Sequence, residues 1–370
     1  FQDGAQIRAT PDLDRLKAEI ARLAPADARN VRAYLDDNRK KLTAFKPILE
    51  TPFLGWRDFL KLPYRELLPL MRPGTSVDTD LKRHFQDPRV RLAFSFQSKY
   101  LGMSPFQCPS LFTILAFLEY EYGVFHPIGG CSALSEAMAR TCEALGVRLR
   151  IGEAVDEVLF EGRRAVGVRL GDEVLSADAV VVNADFAEAM TRLVPNRIRR
   201  RWTDQRLAKK RYSCSTFMLY LGIEGLYENL DHHTIYFADG YEENLKDIEQ
   251  RHVLNDNPSF YVQNACVTDP TLARPGTSTL YVLVPVTHTH GNVDWTRERP
   301  RYRSLVMSHL ARIGLHDLES RIRYEKVMTP HSWEQDHQIY RGATFNLAHN
   351  LGQMLHLRPR NRFDELEGVY

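Results

Sequence analysis

Residues 123–185 read GVFHPIGGCSALSEAMARTCEALGVRLRIGEAVDEVLFEGRRAVGVRLGDEVLSADAVVVNAD. Several local signals agree here on one architecture. Gly129 and Gly130 permit a tight turn, and Ser132 can cap a helix. Leu134, Met138, Cys142 and Leu145 then recur at helical spacing until Gly146 supplies a left-handed C-terminal residue. Short β-branched segments follow at 147–151, 154–160, 165–170 and 174–183, separated by glycine-containing or charged turns. The last of them ends in AVVVNAD. Three consecutive valines predict a strand buried on both faces, and Asn183 to Asp185 turn it into a helix starting near Phe186.

A helix, a strand-rich excursion and a buried strand ending on a turn suit the second half of a dinucleotide-binding domain, where cofactor meets strand ends. An ordinary α/β core gives the same local pattern. The chain contains no GxGxxG after a strand and no GxxxxGK[ST], so by motif it is not expected to bind a dinucleotide unaided.

With 370 residues, 44% hydrophobic and 26% charged, the chain can bury a sizeable core divided into two or more subdomains. A net charge of +2 is too small to argue for nucleic acid, and the basic clusters at 197–201 and 209–211 read as solvated loop faces. Five cysteines without CxxC spacing argue against a disulfide framework and a zinc ribbon, and suit a reducing, cytoplasmic compartment. No secretory signal is visible, and the apolar run Leu111 to Leu118 is too short to cross a bilayer. Phe1-Gln2-Asp3-Gly4 and Gly368-Val369-Tyr370 make abrupt ends, and pieces are expected to be missing beyond both.

Outside this stretch the first third reads as helical. Thr10-Pro11-Asp12 starts one helix, another follows from about Pro25, and others are predicted over 79–85, 88–100 and 110–120. Between them, residues 52–72 mix Trp56, Phe59, Leu67, Leu68 and Met71 with Arg57, Lys61, Arg65 and Arg72. An in-plane membrane anchor needs that combination, and helices packing on the protein's own core produce it equally often. Strands are expected over 214–223, 233–237, 259–264 and 279–286, then a helix over 301–313 and a strand over 321–327.

His288 and His290, two apart, can face one way as metal ligands would, but no acidic or cysteine partner completes a set. His232 and His233 cannot share a strand face, and His126 reads as a satisfied turn histidine. GxSxG and HExxH are absent, so no metal site or serine nucleophile is expected.

Taken together, PFLGWRDFLK (52–61), RLAFSFQSKYLG (91–102), GVFHPIGG (123–130), VVVNAD (180–185), YSCSTFMLYLGI (212–223), HHTIYFA (232–238), NPSFYVQNACVTDPTLARPG (257–276), LYVLVPVTH (280–288) and LRPRNR (357–362) resemble the bacterial-type phytoene desaturases. These are FAD-dependent carotene desaturases and include the C30 diapophytoene enzymes. The resemblance runs in consistent order along nearly the whole chain.

The resemblance implies an α/β flavoprotein with a dinucleotide-binding domain, incomplete here, a mixed-sheet substrate domain and a helical membrane-facing subdomain. The expected division is 1–122 helical and substrate-covering, 123–195 FAD-binding, 196–345 substrate-binding, and 346–370 returning to the FAD-binding domain. In that family the glycine fingerprint lies before the position of Phe1 and a second flavin-contacting glycine segment after that of Tyr370, so the chain as given is not expected to turn over by itself. The implied substrate is a long isoprenoid hydrocarbon taken from lipid by a monotopic enzyme on the inner face of the cell membrane. A related polyene isomerase or oxygenase, or a non-catalytic carotenoid-binding module, are the alternatives.

Residue by residue, the resemblance puts Gly129 and Gly130 at the turn that brings backbone to the flavin and Val155 where adenine is contacted through backbone. Asn183, Ala184 and Asp185 fall at the cofactor end of the buried strand. Arg57 and Asp58 match a charged pair near the flavin. Lys61 stands where relatives often carry arginine, which loses the planar guanidinium fork. Arg358, Asn361 and Arg362 match an RPxNR motif, although Gln353-Met354 replaces the usual Gln-Ser before it. A structural turn leading back to the cofactor domain explains these last residues equally well.

Overall fold

The computed structural model describes residues 1–50, 57, 69–353, 357–363 and 365–370. Asp58, Lys61 and most of the expected membrane-facing stretch, including Leu67 and Leu68, lie outside the described residues.

The N-terminal third is a helical layer. Asp12 caps the Leu13–Leu23 helix, its carboxylate accepting from the amides of Asp14 and Arg15, and Leu16 and Ile20 turn inward. The Val31–Glu50 helix buries Val31, Tyr34, Leu35, Asn38, Lys41, Phe45 and Ile48, the three-and-four spacing of a core-facing stripe. It packs with the Thr113–Tyr122 helix around Phe85, Phe94 and Phe117, all fully buried. Each such side chain contributes about 1.5–3 kcal/mol by leaving water.

Strands β4 (Ser215–Glu224), β5 (His233–Tyr236), β6 (Phe260–Gln263), β7 (Thr277–Val286) and β8 (Ile322–Met328) form a five-stranded sheet in the order β5-β6-β7-β4-β8. All its neighbours pair antiparallel. Along β7 every second residue is buried, so one face lies on a core with Phe217, Leu219, Val282 and Val284, closed by Tyr302, Val306 and Leu310 of the Trp295–Leu310 helix. Cys214, Phe237, Tyr241, Leu245 and Ile248 form a further cluster, and Phe96 and Phe106 of the helical layer pack against it. That cluster joins the helical layer to the sheet.

The segment on which the sequence reading turns is folded differently from its expectation. A three-stranded meander, β1 (Glu157–Glu161), β2 (Arg164–Leu170) and β3 (Glu173–Ser176), follows the Gly130–Ala144 helix. Gly129, at φ +84°, takes the N-cap position, and Ser132 lies inside the helix without capping it. The left-handed C-terminal residue is Gly146, as expected, at φ +88°. No side chain of this helix is buried, however, and residues 147–151 form no strand among the described residues; Ile151 is 90% exposed.

The valine run is also not buried on both faces. Val180 pairs in parallel with Val369, and Val182 donates to the carbonyl of Tyr370, but Val181 is 76% exposed. A strand is buried on both faces only when other elements cover both faces of its sheet, and among the described residues Val181 has no such cover. Val158, Ala165, Met190, Trp202, Leu366 and Val369 make a third core, which anchors residues 365–370 beside the meander.

Candidate flavin site and cavity

Gly129 and Gly130 both have positive φ, at +84° and +75°, and together they open the 15-residue Gly130–Ala144 helix with no side-chain cap. The Gly130 amide is taken by the Pro127 carbonyl at 2.8 Å, and the amides after it in the first turn, which have no side-chain cap, are the donors that favour an electron-rich acceptor. That chemistry fits a flavin or its phosphates. A Cβ at Gly129 would lie 3.0 Å from that of Ala133, and one at Gly130 would lie 3.3 Å from Leu272, so side chains would crowd the turn.

The turn is held from the other side of the molecule. Asp269, buried in the loop between β6 and β7, accepts the Gly129 amide at 2.8 Å and contacts His126 Nε2 at 2.9 Å through one carboxylate oxygen. Its second oxygen accepts the Thr271 hydroxyl at 2.5 Å and the Thr271 amide at 3.1 Å. Hydrogen bonds from Thr271, then His126, hold the carboxyl well below the usual carboxylate range. His126 packs edge-on against His232, ring centroids 5.0 Å apart. His126 is therefore the satisfied turn histidine expected from sequence. Asp269, in a quoted stretch but assigned no role there, was legible only as a turn-forming Asp-Pro pair.

The remaining expected cofactor residues fall into two other neighbourhoods. The Val155 carbonyl accepts from Arg192 at 3.2 Å. Asn183 and Ala184 are exposed, and Asp185 caps the Phe186–Leu193 helix through the Glu188 amide at 2.9 Å. Burial raises the Asp185 carboxyl above its ordinary value. Arg358 donates to the Leu347 carbonyl at 3.4 Å, and Asn361 is exposed. Arg57 is helical and exposed.

Met71 and Arg72 are the described end of the expected membrane stretch, and both turn inward. Met71 packs against the cluster of Phe45, Ile48, Leu111 and Ile114. Arg72 is engaged by Asp37 at 2.9 Å and Asp80 at 2.5 Å. Those two residues serve the protein's own core, and the Arg72 cation is committed to internal carboxylates.

His288 and His290 do not converge on a metal. With His252 they form a stack, His252 on His290 at 4.0 Å between centroids and 8° between planes, and stacked rings aim their lone pairs in separate planes.

Between the helical layer, the start of β4 and the returning chain near Ala348 lies a cavity of about 720 Å³, lined in part by Met103, Phe106, Tyr212, Cys214 and Ile248. Histidines around it and elsewhere are held neutral. Burial lowers His288, His233 and His349 each from 6.5 to about 4. The unfolded chain therefore binds more protons between those values, and stability falls as pH falls through that window. The thermal midpoint is expected to be lower at pH 5 than at pH 7 at matched ionic strength; equal midpoints would show that these rings titrate as in water.

A family profile described as flavin containing amine oxidoreductase matches residues 64–370. The chain belongs to that family. This flavoprotein is 41% identical, over 100% of its length and 72% of the relative's, to a 4,4'-diapophytoene desaturase (4,4'-diapolycopene-forming) of Methylomonas sp. It is also 41% identical to an all-trans-zeta-carotene desaturase of Myxococcus xanthus, covering 100% of this chain and 71% of that one. A solved putrescine oxidase double mutant aligns over 83% of this chain and 62% of its own, with 15% identity and a TM-score of 0.48. The flavoprotein is thus an oxidoreductase that uses FAD, and these two relatives are named as carotene desaturases. Among the described residues no helix is long and apolar enough to cross a membrane.

Proposed function

We propose that this protein desaturates a linear isoprenoid hydrocarbon, phytoene or its C30 analogue, in carotenoid biosynthesis. The observation that carries the reading is the 41% identity, over the whole chain, to a relative named for diapophytoene desaturation. Oxidised flavin, when bound, supplies the hydride acceptor for an allylic CH–CH pair. The chain's own part is to hold the hydrocarbon by shape, exclude water, and take the accompanying proton. Residues 1–122 cover the substrate, 196–345 bind it, and 123–195 with 346–370 contribute to the flavin domain.

Gly129 and Gly130 offer backbone to the flavin, with Val155, Asn183, Ala184, Asp185, Arg358 and Asn361 as the further cofactor residues. Arg57, Asp58 and Lys61 act at the reacting end. Expression of the full-length protein in cells that make a colourless C30 or C40 precursor tests the reading. New long-wavelength absorption bands in extracted lipid are expected, and an unchanged spectrum with flavin-loaded protein present would refute it.

Asp269 holds the glycine turn, so in the full-length protein Asp269→Ala is expected to weaken FAD binding by about tenfold or more. Each hydrogen bond to its carboxylate is worth about 1.5–3 kcal/mol. Flavin fluorescence on dilution measures the affinity, and parental affinity in the variant would remove Asp269 from the site.

The enzyme meets its substrate at the inner face of the membrane through residues before Met71. Because Met71 and Arg72 are committed inward, the variant that reads this is Leu67→Ser with Leu68→Ser. Full-length protein carrying both is expected to shift from the membrane to the soluble fraction, and unchanged partitioning would count against a monotopic anchor there.

A further inference from the structure

The helical layer carries a carboxylate toward the outer face of the five-stranded sheet, and the residue that holds it does so at a cost. Glu119, half-buried on the Thr113–Tyr122 helix, accepts from Gln97 Nε2 at 2.9 Å. Gln97 is 1% exposed, and its other partner, the Ala93 carbonyl at 3.4 Å, is also an acceptor, which fixes the amide nitrogen on that side. Its own Oε1 is thereby left buried without a hydrogen-bond partner among the described residues. A buried amide that strands its carbonyl while serving a carboxylate points to a role for that carboxylate beyond stability.

Rings carry the surface on from Glu119. Tyr100, in the same short helix as Gln97, stands edge-on to Phe96 at 6.2 Å. Packing around its phenol, then Glu119, then Tyr261 raise that phenol above its ordinary range, which sets Tyr100 between the other two. Val262 and Val282 point into the sheet's core, so Tyr261 and Tyr281 lie on the opposite face. Tyr261 meets Tyr281 edge-on at 5.6 Å, and Tyr281 stacks on Tyr220 at 5.6 Å. In the other direction the rings continue from Tyr261 through His233 at 5.9 Å and His232 at 4.2 Å toward His126 of the glycine turn. Burial holds His233 at about 4, and burial followed by Tyr220 holds Tyr281 at about 12, so both are neutral near pH 7. Lys326, opposite Tyr220, is exposed at the far end of the strip.

We propose that Glu119 is a catalytic residue that stabilises the positive charge left on the polyene during desaturation, the chain lying against Tyr100 and Tyr261. The inference rests on the carotenoid reading above and adds a second anion to it. When the allylic C–H bond breaks, its electron pair leaves with the hydrogen to oxidised flavin, and one positive charge stays on the polyene. The adjacent carbon then gives its proton to the acceptor at the reacting end, and the double bond closes. Conjugation spreads the charge over alternate carbons, so a carboxylate at the reacting end leaves part of it uncovered. Glu119 faces that part, fixed by Gln97 before the reaction, and the uncharged rings beside it keep water from weakening the attraction.

The test uses full-length, flavin-loaded protein in detergent and Glu119→Gln, which keeps the size and can still accept from Gln97. Two probes are titrated by quenching of tryptophan fluorescence: a linear C30 isoprenoid amine with its nitrogen within the chain, protonated at pH 7, and the hydrocarbon of equal length. The substitution is expected to weaken the amine about tenfold or more and the hydrocarbon less than about twofold. Turnover is expected to fall about 10²-fold with the half-saturating substrate concentration unchanged. Where Glu119→Gln does not fold, Glu119→Met keeps the length of the side chain and carries the same expectations.

Equal weakening of both probes, or parental turnover in the folded variant, would overturn the proposal and leave Glu119 as a structural partner of Gln97. Failure of the carotenoid reading looks different, because the parent itself would then leave the precursor in cells colourless.

Discussion

Asp80→Asn is expected to destabilise the protein by about 3–5 kcal/mol, read as a lowered denaturant midpoint in the full-length chain. Asp80 is 2% exposed and its two oxygens serve different cations, Lys41 Nζ at 2.5 Å and Arg72 at 2.5 Å. Lys41 has a fully buried side chain, and burial, offset by Asp80, lowers its pKa. Its other contacts are the Thr113 hydroxyl at 3.0 Å and Asp37 at 3.7 Å. Asparagine keeps the shape of Asp80 but removes the charge, so Lys41 is left in the core without its closest anion.

The cost arises from that stranded ammonium more than from the lost attraction, which gives the prediction a second arm. Lys41→Met with Asp80→Asn removes the stranded charge and is expected to be less destabilised than Asp80→Asn alone, Arg72 keeping its fork on Asp37. A loss under about 1 kcal/mol for the single variant would mean that water reaches the pair and that it behaves as a surface bridge.

The same network shows what local sequence could not supply. Arg72 reads, beside Leu67, Leu68 and Met71, as a cation facing lipid, because its partner Asp37 lies 35 residues away on another helix. The Asp269 clamp on Gly129 spans 140 residues, so the glycine turn was legible and its anchor was not. Strands β4 and β7 were read nearly to their ends, since both are long apolar runs and β7 alternates so that it carries its own burial pattern.

Val180 to Val182 failed as a strand buried on both faces, and residues 147–151 formed no strand among the described residues, for the opposite reason. Their side chains have the right chemistry, but burial on both faces depends on neighbours that no property of the segment encodes. The Gly130–Ala144 helix shows the same limit, for its ends are set by Gly129 and Gly146 while Leu134 and Met138 stay 57% and 62% exposed. Local chemistry specified the elements, and tertiary partners decided which became core.

Asp58→Asn is expected to lower the desaturation rate by about 10²- to 10⁴-fold in protein that still folds and binds FAD, the range for loss of a positioned proton acceptor. Desaturation separates a hydride from a proton, and a carboxylate near the reacting carbons can take the proton and stabilise cationic character left on the polyene. A carboxylate in a low-dielectric space stays ionised only beside a cation. Arg57, its neighbour in sequence, is the guanidinium expected to keep Asp58 ionised.

The competing account is a surface ion pair worth about 0–1 kcal/mol, whose removal leaves turnover alone. The two accounts separate on two readouts. Under the proton-acceptor account, Asp58→Asn removes the rate, while Arg57→Met leaves measurable turnover and moves the acidic limb of its pH profile upward as the carboxyl loses its cation. Under the surface account both variants desaturate at the parental rate with the parental pH profile, and a parental rate in flavin-loaded Asp58→Asn would by itself end the catalytic assignment.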